Sequence, residues 1–184
     1  SGHGQEKSYR FTELPPFDGD DRAIFVDRVL TGSILLEDYR AGQFEPLRSW
    51  AGTPLEEWGV HETPAPREGA LDGVEITFGS PDSDPASLEK RLYFEADGSV
   101  EAYYQWEPGA FPKDAYFTTE LSLGAEAQVV AAPRADVWRF PISTFSKSER
   151  GFDETVQGES VTVRWPAEQG WGRVKLFPKP VPES

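Results

Sequence analysis

From residue 74 onward, apolar and polar residues alternate with a period of two. Val74-Glu75-Ile76-Thr77-Phe78 and Arg91-Leu92-Tyr93-Phe94-Glu95 both do so, which is the spacing of a half-buried strand. The second run leads through Asp97-Gly98 into Ser99 to Trp106, and this pair predicts its own register. A two-residue loop would set Phe94 opposite Glu101. A three-residue loop, Ala96-Asp97-Gly98, sets Phe94 opposite Val100 and Leu92 opposite Ala102. The second choice gathers the apolar side chains on one face and gives Gly98 the left-handed position of a bulged hairpin. Further on, Ala115 to Leu123 alternates with Phe117, Leu121 and Leu123 on one side and Tyr116, Glu120 and Ser122 on the other. Gln128 to Ala132, Asp136 to Phe140, Ser160 to Trp165 and Gly172 to Phe177 continue the pattern, with turns at Pro108-Gly109, Pro133 and Gln169-Gly170. Short strands with turn punctuation and no alternation with helices predict an all-β fold, an antiparallel β-sandwich with few short helical turns. The N-terminal third is less regular. Ala23 to Leu30 suits a strand or a helix, and Leu55 to Trp58 suits one helical turn. Gly59 to Gly69 and Ser80 to Pro85 read as loops.

Composition narrows the function. A chain of 184 residues with 38% hydrophobic and 13% aromatic residues suits one folded domain. Its net charge of −14 argues against nucleic acid and anionic membranes as partners, and no apolar run is long enough for a membrane-spanning helix. The excess of acids over few lysines fits either an ordinary acidic protein or a salt-adapted surface. Cysteine is absent, so neither a disulfide framework nor thiol chemistry enters the argument. Ser1-Gly2-His3-Gly4 has the look of a remnant of tag cleavage, and the chain contains no methionine. We therefore expect residues 5–184 to be one domain taken from a longer polypeptide.

The densest cluster of specific polar residues runs from Trp138 to Gly158, WRFPISTFSKSERGFDETVQG. Pro141, Thr144, Ser146, Ser148, Glu149, Gly151, Gln157 and Gly158 form a pattern that resembles a signature near the C-terminal end of glycoside hydrolase family 57 α-glucan enzymes, the 4-α-glucanotransferase and amylase group. Two weaker matches precede it in the same order. Arg22, Phe25 and Asp27 match an Arg-x-Ser-Phe-Leu-Asp-His stretch, with Arg28 standing where the histidine is expected, and Glu120 closes an aromatic strand. The resemblance implies a β-sandwich of the galactose-mutarotase-like supersandwich type that accompanies a catalytic barrel. It also implies a cytoplasmic setting, which the residues themselves leave open.

The chemistry follows the same division. The family's two catalytic carboxylates belong to the barrel, so no residue here inherits either role. With 32 acidic residues, some pair meets any spacing rule for a glycosidase, and spacing alone selects nothing. A nucleophilic triad needs a histidine base, and His61 in its proline-rich setting reads as a surface residue. Sugar binding needs flat aromatic faces with polar groups around them. Trp106, Trp138 and Trp165, in or at the ends of strands, read as packing residues. Trp50, Trp58 and Trp171 sit in turn-like settings, where a glycan platform, contact with a neighbouring domain and partial burial all stay open. Trp171 ranks first, because Gly170 and Gly172 leave its ring unshielded by neighbouring side chains. In the signature, Ser146 or Ser148 is expected to cap a short helical turn with Glu149, while Thr144, Glu149 and Gln157 are candidates for contact with glycan or a catalytic domain. Asp18-Gly19-Asp20-Asp21 carries Ca²⁺-type oxygens but lacks an EF-hand spacing, so we expect a solvated turn, no metal and no cofactor. The expected function is a non-catalytic C-terminal domain whose partners are α-glucan or the catalytic domain. An independent carbohydrate-binding module is the alternative, and a mutarotase-like enzyme is disfavoured by the shortage of histidine.

Overall fold

The computed structural model describes residues 25–51, 53, 57–64, 74–124, 127–147 and 153–177, with the backbone alone at 61–64, 143–147 and 153–157. Residues 1–4, the Asp18 to Asp21 run, Leu55, Glu56, Ser148 and Glu149 lie outside the described residues. The strands are β1 (Val26–Leu30), β2 (Arg48–Ser49), β3 (Gly59–Pro64), β4 (Val74–Gly79), β5 (Glu89–Phe94) and β6 (Val100–Gln105), followed by β7 (Tyr116–Gly124), β8 (Gln128–Ala132), β9 (Asp136–Lys147), β10 (Asp153–Pro166) and β11 (Trp171–Phe177). One short helix, α1 (Leu36–Arg40), follows β1.

Among the described residues the strands form a five-stranded sheet in the order β2-β1-β7-β10-β9 and a six-stranded sheet in the order β3-β4-β5-β6-β11-β8. All pairings are antiparallel. The β5–β6 hairpin has the register its sequence predicts, with Phe94 opposite Val100 and Leu92 opposite Ala102. Gly98 has φ of 88°, the left-handed geometry that costs a glycine nothing. Alternation in β7 also holds: Phe117, Leu121 and Leu123 are buried, while Ser122 faces solvent.

One segment left open is resolved, and two depart from expectation. Ala23 to Leu30 resolves as strand over Val26–Leu30. Gly59 to Gly69, expected as a loop, begins with six paired residues: β3 lies against β4 from Gly59 opposite Gly79 to Pro64 opposite Val74. β3 is a sheet edge, and an edge tolerates proline because one row of backbone groups needs no partner strand. His61 therefore sits in a strand. The second departure is the signature. β9 and β10 continue well beyond their predicted ends and pair from Arg164 opposite Asp136 to Asp153 opposite Lys147. Ser146 is a strand residue paired with Glu154, not the cap of a helical turn, because backbone pairing already engages this stretch.

The core lies between the sheets and is rich in aromatic rings. Trp106 stacks on Phe117 at 4.3 Å with planes 8° apart, and Trp165 and Tyr104 pack beside them. Burying each such side chain contributes about 1.5–3 kcal/mol. Gly172 has a specific task in this core, since a Cβ there would lie 2.5 Å from the fully buried Trp165 ring. Trp138 is half-buried on the opposite face of the five-stranded sheet, with the Arg164 guanidinium 3.8 Å above its ring.

Candidate functional site

Asp27 and Arg28 are neighbours in β1, so their side chains leave opposite faces of the sheet. Asp27 points between the sheets. One carboxylate oxygen accepts from the Tyr104 and Thr119 hydroxyls, each at 2.8 Å, and the other accepts from Lys90 Nζ at 2.8 Å. Donors from β5, β6 and β7 thus converge on one buried carboxylate and tie the two sheets together. Burial, reinforced by the charge of Asp27, pushes the Tyr104 hydroxyl pKa well up, so the phenol stays a proton donor.

Arg28 points outward beneath α1. Its guanidinium donates to Glu120 Oε1 at 3.4 Å. Glu120 Oε2 accepts from the Tyr39 hydroxyl at 2.8 Å and from Ser160 Oγ at 3.3 Å. Thr162 Oγ1 in turn donates to the Tyr39 hydroxyl at 3.0 Å. Burial pushes the Tyr39 pKa up, and the Glu120 carboxylate acts in the same direction. The ring of Tyr39 is held by Phe44 at 4.8 Å and Trp138 at 5.2 Å. This network pins α1 to the outer face of the five-stranded sheet.

Asp27 and Glu120, two acids at positions carrying the resemblance, therefore come close in register but face opposite ways: Val26 pairs with Glu120, and Asp27 pairs with Thr119. They cannot flank one scissile bond. Each already holds several donors, an arrangement that positions strands.

Signature residues lie along the β9–β10 hairpin. Thr144 pairs with Val156, and Gln157 pairs with Ser143. Gly158 pairs with Gly124, where a Cβ would come within 2.6 Å of the Leu123 carbonyl oxygen. Close strand approach thus accounts for that glycine.

The tryptophan candidates separate. Trp50 is only 5% exposed. Its indole N–H donates to Asp84 Oδ2 at 2.9 Å and its ring packs on Phe117, so it offers no surface platform. Its turn-like sequence setting concealed the buried acceptor that makes an indole comfortable inside. Trp58 is half-buried, edge-on to Phe78 at 6.2 Å. Trp171 is 39% exposed on the outer face of the six-stranded sheet. Its flanking glycines have other reasons than unshielding the ring: Gly170 takes φ of 81° after a 3-10 turn, and Gly172 admits Trp165.

Trp171 does not stand alone. Tyr103 stacks with it at 6.1 Å, planes 28° apart, and the Arg91 guanidinium lies 5.0 Å from the Tyr103 ring. Arg91 Nε donates to Glu89 at 2.8 Å. Arg173 sits opposite Tyr103 and Ala132 in register, and it makes no ion pair among the described residues. Beside it opens a shallow concavity of about 250 Å³ lined by Glu101, Val130, Ala132, Arg173, Lys175 and Phe177. Alternation in Val100 to Gln105 already places Tyr103 outward. Its meeting with Trp171 depends on the pairing of β6 with β11, which no local pattern encodes.

Comparison with known proteins agrees with the motifs. The family model described as alpha-amylase/4-alpha-glucanotransferase, C-terminal, matches residues 121–176. The 4-alpha-glucanotransferase of Thermococcus litoralis is 27% identical over 179 residues, covering 83% of this chain and 26% of that protein. That of Thermococcus kodakarensis is 26% identical over 173 residues, covering 83% and 25%. The chain thus spans about a quarter of the length of these relatives. The crystal structure of the T. litoralis enzyme superposes with a TM-score of 0.51 at 24% identity, over 84% of this chain and 27% of that one.

Proposed function

We propose that this chain, a C-terminal domain of the α-amylase/4-α-glucanotransferase type, is a non-catalytic β-sandwich that supports the catalytic domain of an α-glucan-processing enzyme. The observation that carries this reading is the use made of the motif acids. Asp27 holds donors from three strands across both sheets, and Glu120 holds Arg28, Tyr39 and Ser160. Such carboxylates, each already engaged by donors from several strands, stiffen a scaffold. A rigid sandwich is a suitable platform for positioning a neighbouring catalytic domain.

Incubating the 184-residue chain with maltooligosaccharides, followed by product analysis, tests the proposal. The expected result is neither cleavage nor transfer. Turnover that disappears when one carboxylate of this chain is replaced would overturn it.

A second reading, an independent glycan-binding module, is favoured by the exposed Trp171 stacked with Tyr103. Glycan titration of the isolated chain separates a binding module from a purely supporting domain.

A further inference from the structure

We infer that the outer face of the six-stranded sheet is a binding site for linear α-1,4-glucan, running from the Trp171–Tyr103 rings along β11 toward Phe177. The class of ligand rests on the α-glucan reading above; the place and polarity of the site come from the geometry.

Outward positions of β11 are Trp171, Arg173, Lys175 and Phe177, which alternate with the buried Val174 and Leu176. The six steps from Trp171 to Phe177 span ~20 Å, enough for several consecutive sugars. At one end is the exposed Trp171 ring, whose apolar face matches the C–H face of a pyranose. Glu89 and Arg91, paired and both substantially exposed, lie across β6 from β11, Glu89 opposite Gln105 and Arg91 opposite Tyr103. A carboxylate and a guanidinium side by side accept from and donate to neighbouring hydroxyls, the arrangement a sugar edge needs. Arg173 adds donors in the middle of the path. At the far end the concavity is lined by the apolar Val130, Ala132 and Phe177 together with Glu101 and Lys175. Val130 is 60% exposed on this edge strand. Apolar rings with interspersed polar groups distinguish this face from a merely solvated sheet surface.

Stacking displaces water from the sugar's C–H face, while Arg91, Glu89 and Arg173 replace its hydroxyl hydrogen bonds with solvent. A shallow, open site buries little area, so affinity is on the order of millimolar to high micromolar.

The test is ¹H–¹⁵N NMR titration of the 184-residue chain with maltoheptaose, using cellohexaose as the β-linked comparison. The expected result is movement of the Trp171 indole signal together with backbone signals of β5, β6 and β11. Trp171→Ala should weaken binding about tenfold, or about 1.4 kcal/mol, and Arg173→Ala several-fold. Both side chains are at the surface, so circular dichroism should show an unchanged fold. Absence of any indole shift at tens of millimolar maltoheptaose overturns the site, as does binding that Trp171→Ala leaves intact. Equal binding of cellohexaose overturns the α-linkage. Each of these results leaves the supporting role untouched, whereas new product signals from maltoheptaose would overturn the supporting role and not the site.

Discussion

The carboxylate of Asp27 in β1 and the ammonium of Lys90 in β5 meet at 2.8 Å between the two sheets, both largely out of solvent. Lys90 also lies 5.6 Å from the Phe25 ring and 5.7 Å from that of Tyr104. The pair works as a cross-sheet clamp. Its net contribution is modest, since desolvation opposes attraction, but removing one partner leaves the other charge buried alone. We expect Asp27→Asn to destabilise the chain by about 3–5 kcal/mol, read as a lower urea midpoint. An unchanged midpoint would mean that Lys90 escapes to water and that the clamp is dispensable. Tyr104→Phe removes one donor only and should cost less, about 1–3 kcal/mol.

Gly172 is held by sterics. Any Cβ there meets three atoms of the Trp165 ring at 2.8 Å or less, and the ring has no exposed side toward which to move. Gly172→Ala should therefore destabilise by about 1–3 kcal/mol through overpacking. Gly124→Ala, where a Cβ would meet nothing within 4 Å, is the control and should change thermal stability little. Equal melting temperatures for the two variants would contradict the close approach of β11 to Trp165.

Acid should unfold the chain partly through Asp84. Burial raises its pKa, but hydrogen bonds from the Trp50 indole, the Ala86 N–H and Arg48 outweigh burial and hold it below the usual aspartate value. Asp97 is held low as well, chiefly by the Ser99 hydroxyl and N–H. A depressed folded pKa contributes stability that is complete above the unfolded value of about 3.9 and is lost as pH falls through the folded value. Stability should thus decline below about pH 4. Asp84→Asn should be less stable at neutral pH yet show a shallower decline in acid. Parallel urea-unfolding profiles against pH for variant and parent would exclude Asp84 as a contributor.

Much of the architecture was legible along the chain. A period of two in β4 to β7 announced the strands, and the Ala96-Asp97-Gly98 turn determined its register through local side-chain alternation and one left-handed glycine. The motif order from Asp27 through Glu120 to Gly158 pointed to the same domain type that the family model matches. Local patterns failed where pairing itself does the work. β3 and the extended β9–β10 hairpin carry polar and proline-rich residues, yet they form strands because a neighbouring strand satisfies their backbone groups.

The site follows the same division. The sequence by itself determined which residue types were present, that Tyr103 points away from the Ala102 and Tyr104 face, and that Trp171 adjoins two glycines. Only the tertiary structure decided that Trp50 is buried on Asp84 while Trp171 is exposed on Tyr103. It alone decided that Arg28, in the position of a histidine, reaches Glu120, 92 residues away. The reason is physical. Alternation encodes which face of its own strand a side chain takes, but its neighbours on that face come from strands distant in sequence, and their order is a property of the whole sheet.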